Sequence, residues 1–157
     1  MKKILLLGST GMLGWQLLKS LQNLKKFKIF ASYKNKKKLL LLKKNLQIKK
    51  NVSFIKFDIN KSSKFNYSNY DYIINCIGVI KPYINENNQD SIKNAIKINS
   101  LFPHDLIINN KKTKVFQIAT DCVFDGKKGN YLEVDLHNAE DVYGKSKSLG
   151  EIKANNF

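Results

Sequence analysis

The sequence predicts an α/β fold built on a doubly wound parallel sheet of about five strands, in the order 3-2-1-4-5. Short apolar runs alternate along the chain with longer segments whose apolar residues have helical spacing. Alternation of this kind is typical of βαβ units, and right-handed crossovers then place the strands in a doubly wound layer. The length of 157 residues fits one domain with a substantial core.

The individual elements follow from local spacing. The runs predicted as strands are Lys3–Leu7, Phe27–Ser32, Val52–Phe57, Tyr72–Cys76 and Lys114–Ala119. The segments predicted as helices are Met12–Asn23, Asn35–Lys50, Gln89–Asn110 and Val142–Lys153. Pro103 is expected to kink or split the third helix, because a proline interior to a helix removes a backbone donor.

The formal charge of +16 comes entirely from lysine, since all 28 basic residues are lysines. Residues 1–57 hold 15 of them and no acid, whereas residues 58–157 hold 13 lysines and 12 acids. A basic half can attract nucleic acid or anionic lipid non-specifically. Proteins that recognise a specific base sequence depend on arginine, and this chain has none. We therefore expect a solvated lysine surface and no specific nucleic-acid or membrane partner.

Cysteine usage and hydropathy point to a cytoplasmic protein. Cys76 and Cys122 lie far apart and form neither a CxxC pair nor a disulfide framework. The apolar run Ile4–Leu7 is too short for a secretory signal, and Leu39–Leu42 is too short to span a bilayer.

A glycine-rich turn follows the first predicted strand and opens the first predicted helix. It has the form GxxGxxG, in which Gly8 allows a tight turn, Gly11 lets a pyrophosphate approach the backbone, and Gly14 lets the helix pack against the strand. The helix start then offers free N–H groups to phosphates. The residues predicted to contact the cofactor here are Gly8, Thr10, Gly11, Met12, Leu13 and Gly14.

The end of the second strand favours NADP over NAD. A carboxylate usually holds the ribose hydroxyls of NAD at this point, but no acid occurs before Asp58. Ser32 and Lys34, with Lys36 as a further candidate, can instead receive a 2′-phosphate. NAD stays as the alternative cofactor, because lysine lacks the bidentate fork of arginine.

Tyr143 and Lys147 form a YxxxK pair on the last predicted helix, where residues four apart share a face. A phenol is a poor acid–base group at neutral pH, and a neighbouring ammonium favours its phenolate form. Tyr143 is therefore a candidate proton donor to a carbonyl oxygen, and Lys147 can tune it and hold the nicotinamide ribose.

These segments together resemble the extended short-chain dehydrogenases/reductases, and particularly the dTDP-4-dehydrorhamnose reductase family. The spacing of the glycine turn begins the resemblance, and Thr-Asp-Cys-Val-Phe-Asp-Gly from Thr120, the YxxxK pair and Leu149-Gly-Glu extend it over nearly the whole chain. The resemblance implies a Rossmann fold and NADPH-dependent reduction of a 4-keto group on a nucleotide-linked deoxysugar. No metal ligand set is predicted.

The resemblance also assigns further residues. Thr120 would polarise the substrate carbonyl, and Asn99 would support a water near the lysine. Asp58-Ile59 would lie beside the adenine ring, and the segment from Asn75 through Cys76 to Gly78 near the adenosine ribose.

The resemblance fails at the C-terminus, because relatives continue into a substrate-binding lobe and this chain ends at Phe157. We therefore expect residues 1–157 to be an NAD(P)-binding domain that is not fully active alone. An open sheet edge would favour a homodimer or a partner that completes the sheet. An epimerase of the same superfamily, a non-catalytic NADP-binding regulatory subunit and a nucleic-acid- or membrane-surface-binding protein stay as alternatives.

Overall fold

The computed structural model describes residues 1–110 and 112–152. The chain forms two compact units. The first contains Met1–Ile77 and Ile107–Ile118, and the second contains Gly78–Leu106 and the chain from Ala119 onward.

A parallel sheet of five strands forms the centre of the first unit. Its strands are β1 (Lys2–Leu7), β2 (Phe27–Tyr33), β3 (Val52–Lys56), β4 (Tyr72–Asn75) and β5 (Lys114–Gln117). They are ordered β3-β2-β1-β4-β5 and all neighbours are parallel, which confirms the predicted fold class and strand order. Leu5 of the central strand pairs with Phe30 on one side and with Ile73 on the other.

The connections of the first unit include α1 (Met12–Leu21), α2 (Lys36–Asn45) and a 3₁₀ helix (Ile59–Lys64). Leu18 of α1 and Leu42 of α2 are buried in one cluster with Leu6, Ile29 and Ala31 of the sheet. A strand that is buried on both faces has a continuous apolar run in its sequence rather than an alternating pattern. The consecutive leucines of β1 therefore predicted it as a strand.

The second unit is mostly helical. It contains α3 (Gln89–Ile96), a π-helical segment (Lys97–Leu101), most of α4 (Phe102–Ile108), α5 (Val142–Leu149) and 3₁₀ turns at Lys81–Tyr83 and Asp121–Val123.

The predicted helices were too long at their C-terminal ends. α2 stops at Asn45 rather than Lys50, because Leu46 turns extended and is buried in the core. α1 stops at Leu21 rather than Asn23. α5 stops at Leu149, before Gly150, and the predicted end at Lys153 lies outside the described residues.

The expected break at Pro103 takes a different form. Proline cannot donate to the carbonyl of Asn99, and the chain widens into the π-helical segment just before it, where the N–H of Phe102 donates to the carbonyl of Lys97. The carbonyl group of Asn99 lies against Gly150, where an added Cβ would come within 3.0 Å of the Asn99 carbonyl carbon. Pro103 itself is buried in the first turn of α4.

Among the residues that the structure describes, no helix combines the length and the apolar character needed to cross a membrane.

Candidate active site

The glycine turn of the first unit is held by contacts that leave no room for side chains. Gly8 has a φ of +77°, and a Cβ there would lie 3.0 Å from the carbonyl group of Cys76. A Cβ on Gly14 would lie 2.8 Å from the carbonyl carbon of Gly8 and 2.9 Å from Cα of Ser9. Only glycine permits the start of α1 to approach the end of β1 this closely.

The start of α1 suits a pyrophosphate. Gly11 is the N-cap and no side chain caps the helix, whose first turn also holds no acid. Met12 is 84% exposed and Leu13 is also exposed, so the first turn of α1, whose N–H groups have no intrahelical acceptor, lies at the surface. Thr10 is half-buried at the edge of the same turn. The residues present therefore fit an anion at this helix start.

Ser32 supports the glycine turn from the end of β2. The N–H of Gly8 donates to Ser32 Oγ at 2.9 Å, and Ser9 Oγ donates to the carbonyl oxygen of Ser32 at 2.8 Å. Both serines are buried. The hydroxyl of Ser32 is thus turned inward, and the interpretation of Ser32 as an outward phosphate ligand is revised to one of supporting the turn. Ser9, which the motif leaves as a variable position, was missed.

Lys34 and Asp58 form an ion pair after β2 and β3. Their Nζ and Oδ1 atoms lie 3.5 Å apart, and the lysine side chain is 68% exposed. Asp58 also caps the following 3₁₀ helix by accepting from the N–H of Asn60 at 3.1 Å. This backbone hydrogen bond first, and the Lys34 ammonium second, hold the pKa of Asp58 below its usual value. Ile59 is half-buried and Lys36 is exposed at the start of α2.

A small pocket of about 220 Å³ lies beside the glycine turn in the same unit. Thr10, Trp15 and Lys38 line it together with side chains of α2. The indole N–H of Trp15 is buried and has no hydrogen-bond partner among the described residues. Because this N–H is shielded from solvent, it is Lys38 that offers the pocket a cation for a ligand with acceptor oxygens. Neither Trp15 nor Lys38 was predicted from the sequence.

Asn75 joins the ends of β4 and β5 rather than facing outward. Its Nδ2 donates to Gln117 Oε1 at 2.8 Å and its Oδ1 accepts from the N–H of Ile77 at 3.1 Å. Cys76 is partly buried, and burial raises the pKa of its thiol to about 11. The side chain of Asn75 is engaged within the sheet, and the thiol of Cys76 stays protonated at neutral pH. The predicted contact of this segment with the ribose would therefore come from its backbone. Gly78 belongs to the second unit.

In the second unit, three charged side chains fix the start of α5. Asp141 Oδ1 accepts from the N–H of Gly144 at 2.8 Å, and Glu86 Oε1 accepts from the N–H of Val142 at 2.8 Å. Lys81 Nζ lies 2.9 Å from Asp141 Oδ2. The Gly144 hydrogen bond and then Lys81 lower the pKa of Asp141. The helix that carries YxxxK therefore begins at a capped position.

Gly144 brings the Thr120 segment against this helix. A Cβ on Gly144 would clash with the carbonyl oxygen of Cys122 and the side chain of Ala139. Thr120 immediately precedes the 3₁₀ turn Asp121–Val123 and caps it, because its Oγ1 accepts from the N–H of Cys122 at 3.3 Å. The glycine that follows the tyrosine in the motif thus lets the threonine segment pack beside the tyrosine.

Tyr143 and Lys147 share one face of α5, one turn apart. Tyr143 is half-exposed and lines an open pocket of about 610 Å³ with Lys81, Cys122 and Phe124. Lys147 is only 9% exposed, and this burial lowers the pKa of its ammonium, while Glu151 acts in the opposite direction.

Asn99 is almost wholly buried and its amide is occupied by protein groups. Its Oδ1 accepts from the N–H of Val79 at 2.9 Å, and its Nδ2 donates to the carbonyl of Val79 at 2.9 Å and to Ser146 Oγ at 3.0 Å. Ser146 Oγ donates in turn to the carbonyl of Tyr143 at 2.8 Å. Asn99 therefore positions α5, which differs from the expected support of a water by its side chain.

Ser100 adds a second hydrogen bond to α5, from its Oγ to the carbonyl of Ser146 at 2.6 Å. The sequence reasoning missed both serines. The signal in the sequence was Ser146, a small polar residue between the two lysines of Tyr-Gly-Lys-Ser-Lys. The structure buries this side of the helix.

The fold is shared with solved nucleotide-sugar enzymes. UDP-glucuronic acid 4-epimerase from Bacillus cereus, in complex with UDP-glucuronic acid and NAD, matches with a TM-score of 0.78 at 19% identity over 94% of this chain and 49% of that chain. A hypothetical dTDP-4-dehydrorhamnose reductase from Sulfolobus tokodaii matches with a TM-score of 0.66 at 26% identity over 96% and 50%.

A dTDP-4-dehydrorhamnose reductase from Clostridium acetobutylicum matches with a TM-score of 0.63 at 26% identity, over 94% of this chain and 47% of that chain. The chain thus spans about half the length of the solved structures it matches. A comparison with curated protein sequences finds no significant match.

The family model described as the RmlD substrate binding domain matches residues 1–156. This match confirms the family predicted from the threonine segment and the YxxxK pair. The chain belongs to the RmlD substrate binding domain family.

Proposed function

We propose that this chain is the cofactor-binding and proton-transferring part of an enzyme that reduces the 4-keto group of a nucleotide-linked deoxysugar with NADPH. Family membership supports the substrate class. The observation that carries the proposal is the packing of the Thr120 segment against α5, beside a pocket that Tyr143 lines. In this proposal residues 1–157 are the NAD(P)-binding domain, and the lobe that recognises the sugar is not among them.

Each side chain then has a distinct task. A nicotinamide cofactor held at the glycine turn would supply the hydride that the carbonyl carbon of the sugar receives. Thr120 donates a hydrogen bond that orients and polarises the carbonyl oxygen, and Tyr143 transfers its phenolic proton to that oxygen. Lys147 stabilises the phenolate that is left and binds the nicotinamide ribose. Asn99 and Ser146 act on Tyr143 only through the backbone of α5.

The burial of Lys147 supports a chemical role for its charge. Taking an ammonium out of water has a free-energy cost that an apolar side chain of the same volume would not have. The lowered pKa of Lys147, caused by that burial, expresses this cost. Functional sites often hold a charged group where it lowers stability but serves the reaction. The buried ammonium of Lys147 is such a group, since it can stabilise the phenolate of Tyr143.

NADPH is favoured over NADH because lysines follow the end of β2 and no acid precedes Asp58. Lys34 is mostly exposed there. Lys38, which lines the pocket beside Thr10, adds a second ammonium. Both ammonium groups suit a phosphate on the adenosine ribose. Asp58 competes for Lys34, which limits the strength of the preference.

A nucleotide-sugar epimerase is the second candidate. The epimerase from Bacillus cereus has the higher TM-score, although 19% identity shows the fold alone. An epimerase returns the hydride to the sugar and consumes no cofactor, so net oxidation of NADPH distinguishes the two.

The first prediction concerns the cofactor. The chain should bind NADPH roughly tenfold more tightly than NADH, because one charge-assisted hydrogen bond to phosphate has about that value. Lys34→Glu should remove this preference by weakening NADPH binding and leaving NADH binding nearly unchanged. Nicotinamide fluorescence titrations give both dissociation constants. Lys25→Glu changes the net charge equally and serves as the control; equal affinities in the unaltered chain would contradict the NADPH assignment.

The second prediction concerns proton transfer. Tyr143→Phe, measured in a protein that carries this domain together with the sugar-binding lobe, should slow hydride transfer to a 4-keto sugar nucleotide by about 100-fold or more, while NADPH affinity stays unchanged because the ring is retained. Nicotinamide absorbance follows the reaction. Tyr83→Phe removes a hydroxyl from an exposed tyrosine and should have no effect. A Tyr143→Phe protein as fast as the parent would exclude the phenol as the proton donor.

The third prediction separates function from stability. Lys147→Met should raise the free energy of unfolding at neutral pH by about 1 kcal/mol, because a buried charge is removed, and it should abolish hydride transfer. Since the folded-state pKa lies below the usual 10.5, the unaltered protein should regain stability as the pH rises through that folded pKa towards 10.5.

Urea unfolding of both proteins at several pH values measures this difference. Lys145→Met, at an exposed position of the same helix, should change stability little. A Lys147→Met protein that is less stable at neutral pH would show that the ammonium is net stabilising in the fold.

A further inference from the structure

The outward face of α2 carries two leucines between two lysines. Lys37, Leu40, Leu41 and Lys44 are spaced i, i+3, i+4 and i+7, which places them on one stripe of a helix. Leu39 and Leu42 of the same helix are buried in the core, so the stripe lies on the opposite side. Leu40 is 58% exposed and Leu41 is 61% exposed.

This stripe differs from a simple solvated surface. A helix exposed on its outer face normally presents polar residues there, often with acids spaced to pair with its lysines. α2 contains no acid, and neither does any other part of residues 1–57. Adjacent exposed leucines within a positively charged surface indicate a partner that is apolar and anionic at once.

We infer that this stripe is a peripheral docking surface for an anionic lipid membrane. At the headgroup boundary, leucines gain by leaving water while lysines approach lipid phosphates. A helix of ten residues is about 15 Å long, so α2 would lie in the plane of the interface and would not cross it. The inference goes beyond the proposed function, although Leu41 also lines the pocket beside the glycine turn, and it revises the expectation that no membrane partner exists.

Charge and composition disfavour other occupants. A second copy of the stripe would bring lysine against lysine, which is repulsive. Nucleic acid would use the lysines but would give no gain to aliphatic side chains, and neither an aromatic ring nor an arginine lies on the stripe. An acidic protein would compete only if the leucines contributed to its binding.

The test is flotation of the full chain with vesicles of equimolar phosphatidylcholine and phosphatidylglycerol, compared with phosphatidylcholine alone. Binding is expected only to the anionic vesicles. Lys37→Gln/Lys44→Gln should weaken it about 25-fold, from about fivefold for each lysine. Leu40→Ser/Leu41→Ser should weaken it roughly tenfold, through lost apolar burial.

Matched controls come from the rest of the chain. Lys61→Gln/Lys64→Gln removes two exposed lysines from the 3₁₀ helix, and Val134→Ser/Leu136→Ser removes two highly exposed apolar side chains. Both should bind like the parent, and urea unfolding should confirm that every variant is folded.

Three results would overturn the proposal. The first is absence of binding to anionic vesicles. The second is a loss of binding by the controls that matches the loss in the stripe variants, which would indicate net charge alone. The third is unchanged vesicle binding by the Leu40→Ser/Leu41→Ser protein, which would mean that the lysines bind any polyanion and that the leucines contribute nothing. Salt-sensitive retention of DNA by the same variant would then identify this general attraction.

Discussion

The close approach of Gly14 to Gly8 is the contact on which the first unit depends. Because no side chain stands between them, α1 can begin directly at the end of the central strand β1. That position leaves the first-turn N–H groups without a cap, and an uncapped helix start is where phosphate is favoured. The hydroxyl of Ser32 then holds Gly8 in place from the neighbouring strand. The glycine spacing and the uncapped start of α1 are thus consequences of one packing requirement.

A buried amide has the corresponding role in the second unit. Asn99 makes three hydrogen bonds, to Val79 and to Ser146. Buried polar groups with every bond made give a rigid arrangement, whereas loss of one partner leaves a costly unsatisfied group. The side chain therefore fixes α5 relative to the chain at Val79. The π-helical segment around Asn99, caused by Pro103, also brings its carbonyl group against Gly150.

The strand order and the family were predictable from the sequence because they depend on local patterns. β1 and the glycine turn adjoin in the chain, and Tyr143 and Lys147 are one helical turn apart. The roles of Ser32 and Asn99 were not predictable, because they depend on which groups meet them across the fold. The end of α2 was also missed, since burial of Leu46 overrides the helical propensity of the residues that follow. Trp15 gave no local signal, because the lack of a partner for its indole N–H depends on which groups surround it in the fold.

In the proposed function, the uncapped start of α1 receives the pyrophosphate of a nicotinamide cofactor. Hydrogen–deuterium exchange at the backbone amides of Met12 and Leu13 tests it most directly, because these groups lack intrahelical acceptors. NADPH should slow exchange at both amides, and adenosine, which has no phosphate, should not. Exchange at these amides that is the same with and without saturating NADPH would contradict it.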